Sequence, residues 1–139
     1  MRILDRLLLA VDRIVPPPKA HAHCDLPCGV YDPAQARIEA ESVKACMEKF
    51  NDSNDDVFKE RAVNIKEQRA DLVKHHLWVL WTDYFKPDHL KKHPQLHELF
   101  WMATKAAGDT KKTNDPTVAQ GLLDQIKEID TIFWETKKG

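Results

Sequence analysis

From residue 34 onward, apolar and polar positions recur with a helical period. Ala36, Ala40, Val43, Met47 and Phe50 follow at steps of four and three, which makes one apolar stripe on a first helix. Asp32-Pro33 in front of it predicts the start, with Asp as N-cap and Pro at the first helical position. Asn51 to Asp56 is a polar turn. A second helix is expected from about Asp56 to Phe85. Phe58, Ala62, Ile65, Leu72 and Val79 share one stripe with Arg69 and His76, and Val73, Leu77, Leu80, Trp81 and Tyr84 form a neighbouring one. Pro87 stops it. A shorter third helix starts near Pro94, turns Leu96, Leu99, Phe100, Ala103 and Ala107 inward, and ends at Gly108. The polar link DTKKTN leads to a second Asp-Pro start, Asp115-Pro116. Val118, Leu122, Ile126, Ile129 and Phe133 then make a fourth stripe. No strand-like alternation of useful length is present. The expected fold is all-α, an antiparallel up-down four-helix bundle.

Composition agrees with that pattern. The chain has 139 residues, a one-domain length, and is 42% hydrophobic and 31% charged with 4 glycines. A net charge of −1 gives no case for nucleic acid. No apolar run approaches the roughly 18 residues that span a membrane. The three cysteines, Cys24, Cys28 and Cys46, cannot all pair within one chain, so this is not a disulfide scaffold.

Residues 1–22 stand apart. The run LLLAV is interrupted by Asp12 and Arg13, and Pro16, Pro17 and Pro18 end any helix. Ala20-His21-Ala22 imitates a signal cleavage site, but the apolar run before it is too short for secretion. The expected location is therefore cytoplasmic. The sharper expectation is a leader removed after Ala22. It carries Arg2, Arg6, Arg13 and Lys19 against Asp5 and Asp12, so residues 23–139 retain 17 basic and 20 acidic side chains, a net −3.

Between leader and bundle lies the irregular stretch KAHAHCDLPCGVYDP, Lys19 to Pro33. His21, His23, Cys24 and Cys28 are ligand types for soft and borderline metals, and Pro27 and Gly29 allow a tight loop. Three chemistries compete on the residues alone. One is a tetrahedral zinc site of His21, His23, Cys24 and Cys28. Another is a redox-active disulfide between Cys24 and Cys28. The third requires cleavage after Ala22. The new terminal amine, a deprotonated amide and two thiolates would then form a square-planar set suited to nickel(II) or copper(II). With Ala22 still joined to His23 that amine does not exist.

The stretch HCDLPCGVYDPAQARIEAESV, His23 to Val43, resembles the mature N-terminus of the nickel superoxide dismutases. Their pattern H-C-x-x-P-C-G-x-Y is met at His23, Cys24, Pro27, Cys28, Gly29 and Tyr31. The similarity continues through IKEQRADLVKHH, DYFKP and IFWETKK, covering nearly all of 23–139.

That resemblance implies disproportionation of superoxide to dioxygen and hydrogen peroxide by Ni(III)/Ni(II) cycling, with a nickel ion as cofactor. It implies two domains of the precursor, a leader at 1–22 and a hook-plus-bundle domain at 23–139, and a processing protease. The ligands would be His23 through amine and imidazole, Cys24 through amide and thiolate, and Cys28 through thiolate. Glu39 and Arg69 resemble the pair that orients the His23 imidazole. An arginine in an otherwise apolar stripe independently asks for a partner. Tyr31 resembles a tyrosine that gates the metal, and Tyr84 its neighbour. Asp25 resembles a residue that fixes the hook, Pro27 one with a cis bond, and Lys86 a basic residue that attracts superoxide. The family forms homohexamers, and some of Trp78, Trp81, Trp101 and Trp134 are expected at subunit contacts. Alternatives from other classes are a non-catalytic zinc- or nickel-binding helical protein and a thiol-disulfide switch. His75 and His76, adjacent on a helix, cannot chelate together there. His89, His93 and His97 are expected as a polar helix edge. Cys46 is expected as a partly buried free thiol.

Overall fold

The structure, a computed structural model, describes residues 29–138. The chain divides into two compact units, Met1–Val30 and Tyr31–Gly139. Of the first, Gly29 and Val30 are described. Gly29 has φ 72°, the left-handed region, where a side chain would be strained.

The second unit holds four long helices and one short one. Helix α1 runs Ala34–Asp52 and α2 Asp56–Val79, followed by a π-helical turn at Leu80–Tyr84. The short α3 is Pro87–Lys92. Helix α4 is Leu96–Asp109, continued by a 3-10 turn at Thr110–Lys112, and α5 is Pro116–Lys138. The start of α5 at Pro116 is built as the sequence suggests, whereas α1 begins one residue later than expected, at Ala34 with Pro33 as N-cap. Asp32 Oδ1 accepts the Ala34 amide at 2.8 Å, and Asp115 Oδ1 accepts the Thr117 amide at 2.9 Å. Asp55 caps α2 by accepting from the Val57 and Phe58 amides.

Helix α1 packs on α2 and α5, and α4 packs on the same two, so the four long helices close a ring. Cross-contacts give the directions. Glu39 pairs with Arg69 while Tyr31 meets Tyr84, so α1 and α2 are antiparallel. Lys44 reaches Gln120 and Asn51 reaches the Asn114 carbonyl, so α1 and α5 are antiparallel. Trp81 meets Phe100 while a Cβ at Gly108 would lie near Lys74, so α2 and α4 are antiparallel. This is the up-down four-helix bundle.

The main core joins Ala36 and Ala40 of α1, Val73 and Leu77 of α2, Leu80 of the π turn, Leu96 to Ala107 of α4, and Leu122 to Phe133 of α5. A smaller cluster of Val43, Met47, Ala70 and Ala119 fills the other end. The stripes of α1, α4 and α5 are those the sequence predicts, with Phe50 and Val118 only half-buried.

Four details differ from expectation. On α2 the inward face is Ala62, Lys66, Ala70, Val73 and Leu77, while Phe58 and Ile65 are exposed. The helix is long enough for its apolar face to drift, and α1 and α4 together select the Val73–Leu80 side. The segment Leu80–Tyr84 is π-helical rather than α-helical, closed by the Phe85 amide on the Leu80 carbonyl at 3.0 Å. Pro87 does end that segment, but it also opens α3, so the region before α4 is not plain link. Finally, α4 passes Gly108. A Cβ there would stand 3.2 Å from Lys74 Nζ, the movable end of a flexible side chain.

Candidate metal centre

Of the expected site residues, His23, Cys24, Asp25, Pro27 and Cys28 lie outside the described residues, as do His21 and the leader. Tyr31, Glu39, Arg69, Tyr84 and Lys86 are described, all in the second unit.

Glu39 and Arg69 are brought together. Arg69 Nη1 donates to both oxygens of Glu39, at 3.2 and 3.4 Å. Their positions on antiparallel α1 and α2 place them level with each other. The Glu39 side chain is 16% exposed and that of Arg69 40%, so the carboxylate is sheltered while the guanidinium reaches the surface. The arginine in the apolar stripe is thus explained by a partner, not by a buried lone charge.

Tyr31 and Tyr84 are also brought together, with ring centroids 5.7 Å apart. Tyr31 stands one residue before Asp32, where the chain enters α1. Tyr84 closes the π turn. An extra residue in a helical turn rotates the side chains beyond it, and such turns recur at functional sites. Tyr84 packs on Phe133 at 4.3 Å, stacks on His89 at 5.6 Å and 24°, and its hydroxyl lies 2.7 Å from Thr136 Oγ1. Lys137 Nζ stands 5.0 Å above the ring, a cation–π contact. Lys86 is exposed two residues on, with its amide donating to His89 Nδ1 at 3.2 Å. Burial first, then the charges of Lys86 and Lys92, hold His89 below the ordinary imidazole range. It is therefore the neutral ring that accepts from the Lys86 amide.

His89, Thr136 and Lys137 are site neighbours that the sequence reading misses. Thr136 and Tyr84 are 52 positions apart, and no local pattern links them. The three histidines at four-residue spacing do not form a face, because the helix breaks after Lys92. His89 stacks on Tyr84, His93 approaches Glu135 at 3.9 Å, and His97 meets Trp81 at 4.8 Å. Cys46 is a half-buried free thiol, and burial pushes its pKa up despite the nearby charges of Arg69, Lys49 and Lys66.

Among the described residues, no group of three or more His, Cys, Asp or Glu side chains could hold a metal ion. The cysteine and histidine residue types within 23–28 are sulfur and nitrogen ligand types. Sulfur with strong-field nitrogen suits nickel, whereas a carboxylate-rich set would favour harder ions.

Comparisons with known proteins agree. The family of nickel-containing superoxide dismutases matches residues 18–137. A superoxide dismutase [Ni] of Streptomyces seoulensis is 61% identical over 123 residues, covering 88% of this chain and 94% of the relative. The solved native structure of a nickel superoxide dismutase superposes with TM-score 0.83 at 61% identity, over 84% of this chain and all of that one. A solved variant of such an enzyme, with phenylalanine for the tyrosine at position nine of its chain, gives TM-score 0.83 at 60% identity and the same coverage.

Proposed function

The chain belongs to the family of nickel-containing superoxide dismutases, and from that premise we propose how its residues carry out the reaction. It is an oxidoreductase that disproportionates superoxide, with nickel as its metal. The proposed donors are the His23 amine and imidazole, the Cys24 amide and thiolate, and the Cys28 thiolate. When bound, nickel supplies one-electron exchange with superoxide, cycling between Ni(III) and Ni(II). Two superoxide anions and two protons become one dioxygen and one hydrogen peroxide, so the protein must draw in an anion and admit protons.

The amine requires removal of residues 1–22 by a processing protease. Two facts support this cut. Solved relatives are covered in full by 84% of this chain, the share that residues 23–139 represent. Counted from His23, Tyr31 is the ninth residue, the position at which a solved relative's tyrosine was replaced.

In the mature chain, Glu39 accepts a hydrogen bond from the His23 imidazole and Arg69 holds the carboxylate in place. This is how a carboxylate commonly orients a ligating histidine. Asp25 fixes the hook backbone, and Pro27 shapes its turn. Tyr31 gates the approach beside Tyr84. Lys86, exposed near that tyrosine pair, supplies local positive potential against the net −3 of residues 23–139. The protein works as a homohexamer, with exposed tryptophans at the contacts, and resides in the cytoplasm. No described helix is long and apolar enough to cross a membrane.

The observation that carries this proposal is the run His23–Tyr31, six fixed positions including both thiols, inside the family match. Expression from His23 and from Met1 tests it. Each chain is loaded with nickel and superoxide decay is followed. Activity is expected only from the chain beginning at His23, and Cys24→Ser should abolish it. Equal activity in both chains would defeat the amine-ligand argument.

A further inference from the structure

Thr136 lies in the last turn of α5, three residues after Phe133. Its hydroxyl donates to the Phe133 carbonyl at 2.6 Å. A hydroxyl has a single hydrogen, so that of Thr136 is committed. The 2.7 Å contact between Thr136 Oγ1 and the Tyr84 hydroxyl therefore has the phenol as donor. The one hydrogen of Tyr84 points to α5. What remains on its oxygen is acceptor capacity.

The next residue acts on the same ring. Lys137 Nζ stands 5.0 Å over Tyr84 and 5.4 Å over Phe133, while His89 stacks on Tyr84. The phenol is clamped in orientation as well as in hydrogen bonding.

Superoxide carries a negative charge and no hydrogen, so it needs a donor. Water and hydrogen peroxide carry O–H groups and can satisfy an acceptor. We propose that Thr136 is a positioning residue for Tyr84: by taking the phenol hydrogen, it makes Tyr84 the acceptor for an O–H of water or hydrogen peroxide. The ring of Tyr31 lies 5.7 Å away between centroids, so the acceptor oxygen of Tyr84 sits within the tyrosine pair. This rests on the proposed placing of both tyrosines beside the metal.

One test uses metal-free protein. The chain has two tyrosines, so Tyr31→Phe leaves Tyr84 as the sole reporter. The ultraviolet resonance Raman doublet of tyrosine distinguishes a donating from a non-donating phenol. In Tyr31→Phe it should report a donor. Adding Thr136→Val should weaken that signature, and Thr136→Ser should restore it. An identical doublet with Thr and with Val at 136 overturns the proposal.

The second test uses nickel-loaded enzyme beginning at His23, with nickel content and helicity checked for each variant. Thr136→Val is expected to lower kcat about tenfold, with Thr136→Ser close to the parent. The loss should vanish on a Tyr84→Phe background, because the two side chains act as one unit. Full activity in Tyr84→Phe overturns both this inference and the placing of Tyr84 at the metal. An impaired Tyr84→Phe beside a fully active Thr136→Val overturns the inference alone, as do losses that simply add in the double variant.

Discussion

In the proposed mechanism Arg69 matters for chemistry and is nearly neutral for stability. Its contact with Glu39 has distances of 3.2 and 3.4 Å, and its own side chain is 40% exposed. A partly solvated pair of this kind contributes about 0–1 kcal/mol. Arg69→Met should therefore barely move the melting temperature of the bundle. It should still cut superoxide turnover by about tenfold or more, because the carboxylate proposed to orient His23 loses the arginine that holds it. Calorimetry and superoxide decay on the same sample check both halves, and a large loss of stability would place the pair in the scaffold instead. His89 makes the opposite kind of contribution. Its pKa is lowered in the folded chain from 6.5, by burial first and then by Lys86 and Lys92. Below its ordinary range the unfolded chain binds the proton that the folded one refuses, so its stabilising share is complete above about pH 6.5. That share is lost as pH falls through the folded value. Thermal melts between pH 7.5 and 5 should show a downward slope that is shallower in His89→Gln.

At the level of elements, the links carry more structure than their composition suggests. Lys66 is 2% exposed, in a position where the helical pattern calls for an apolar residue. Its stem fills the space between helices and its ammonium reaches the link between α4 and α5. There it donates to the Thr113 carbonyl at 2.5 Å and Asn114 Oδ1 at 2.9 Å, with the Lys111 carbonyl at 3.5 Å. Lys111 in turn pairs with Asp71 of α2. The 3-10 turn and the start of α5 are thus held to α2 by a tethered cation. Burial lowers the Lys66 pKa, while Glu67 and Cys46 oppose that shift. Lys66→Met keeps the stem volume and leaves the acceptors unmet, at a cost of about 1–3 kcal/mol. Urea denaturation should show that loss, and a loss of helix α5 protection in hydrogen exchange should accompany it. The π turn at Leu80–Tyr84 is the other element of this kind. It gives up α-helical regularity and places Trp81 on α4 and Tyr84 on α5.

For the molecule as a whole, the notable surface is aromatic. Trp78 is 52% exposed and Trp101 62%, and together with Trp81, His97, Phe100 and Thr104 they line a groove along α2 and α4. Exposed aromatic grooves mark interaction sites, and the proposed subunit contacts are of a kind enriched in aromatic residues. Trp101→Glu should reduce the mass of the assembly measured by light scattering and leave the helical circular dichroism unchanged. An unchanged mass would show that this groove is not where subunits meet. Charge also acts at this scale. With residues 23–139 at net −3, the proposed attraction of superoxide rests on local groups such as Lys86 and Lys137.

The sequence by itself determined the helical class, the apolar stripes of α1, α4 and α5, the Asp-Pro start of α5 and the order of the bundle. These depend on residues three and four apart, where period and capping chemistry are local. It also determined the family, because nine consecutive residues from His23 to Tyr31 carry six of its fixed positions. It indicated that Arg69 needed a partner, since a charge in an apolar stripe is a local anomaly. Tertiary structure decided what lies across the bundle. It set which side of α2 faces inward, because α1 and α4 compete for the same helix. It made Lys66 a clasp, through oxygens 45 to 48 positions away. It divided the evenly spaced histidines among separate partners, and it carried Thr136 and Lys137 to Tyr84. Such contacts depend on where two helices cross and how far a turn rotates a side chain, neither of which has a periodic trace in the chain.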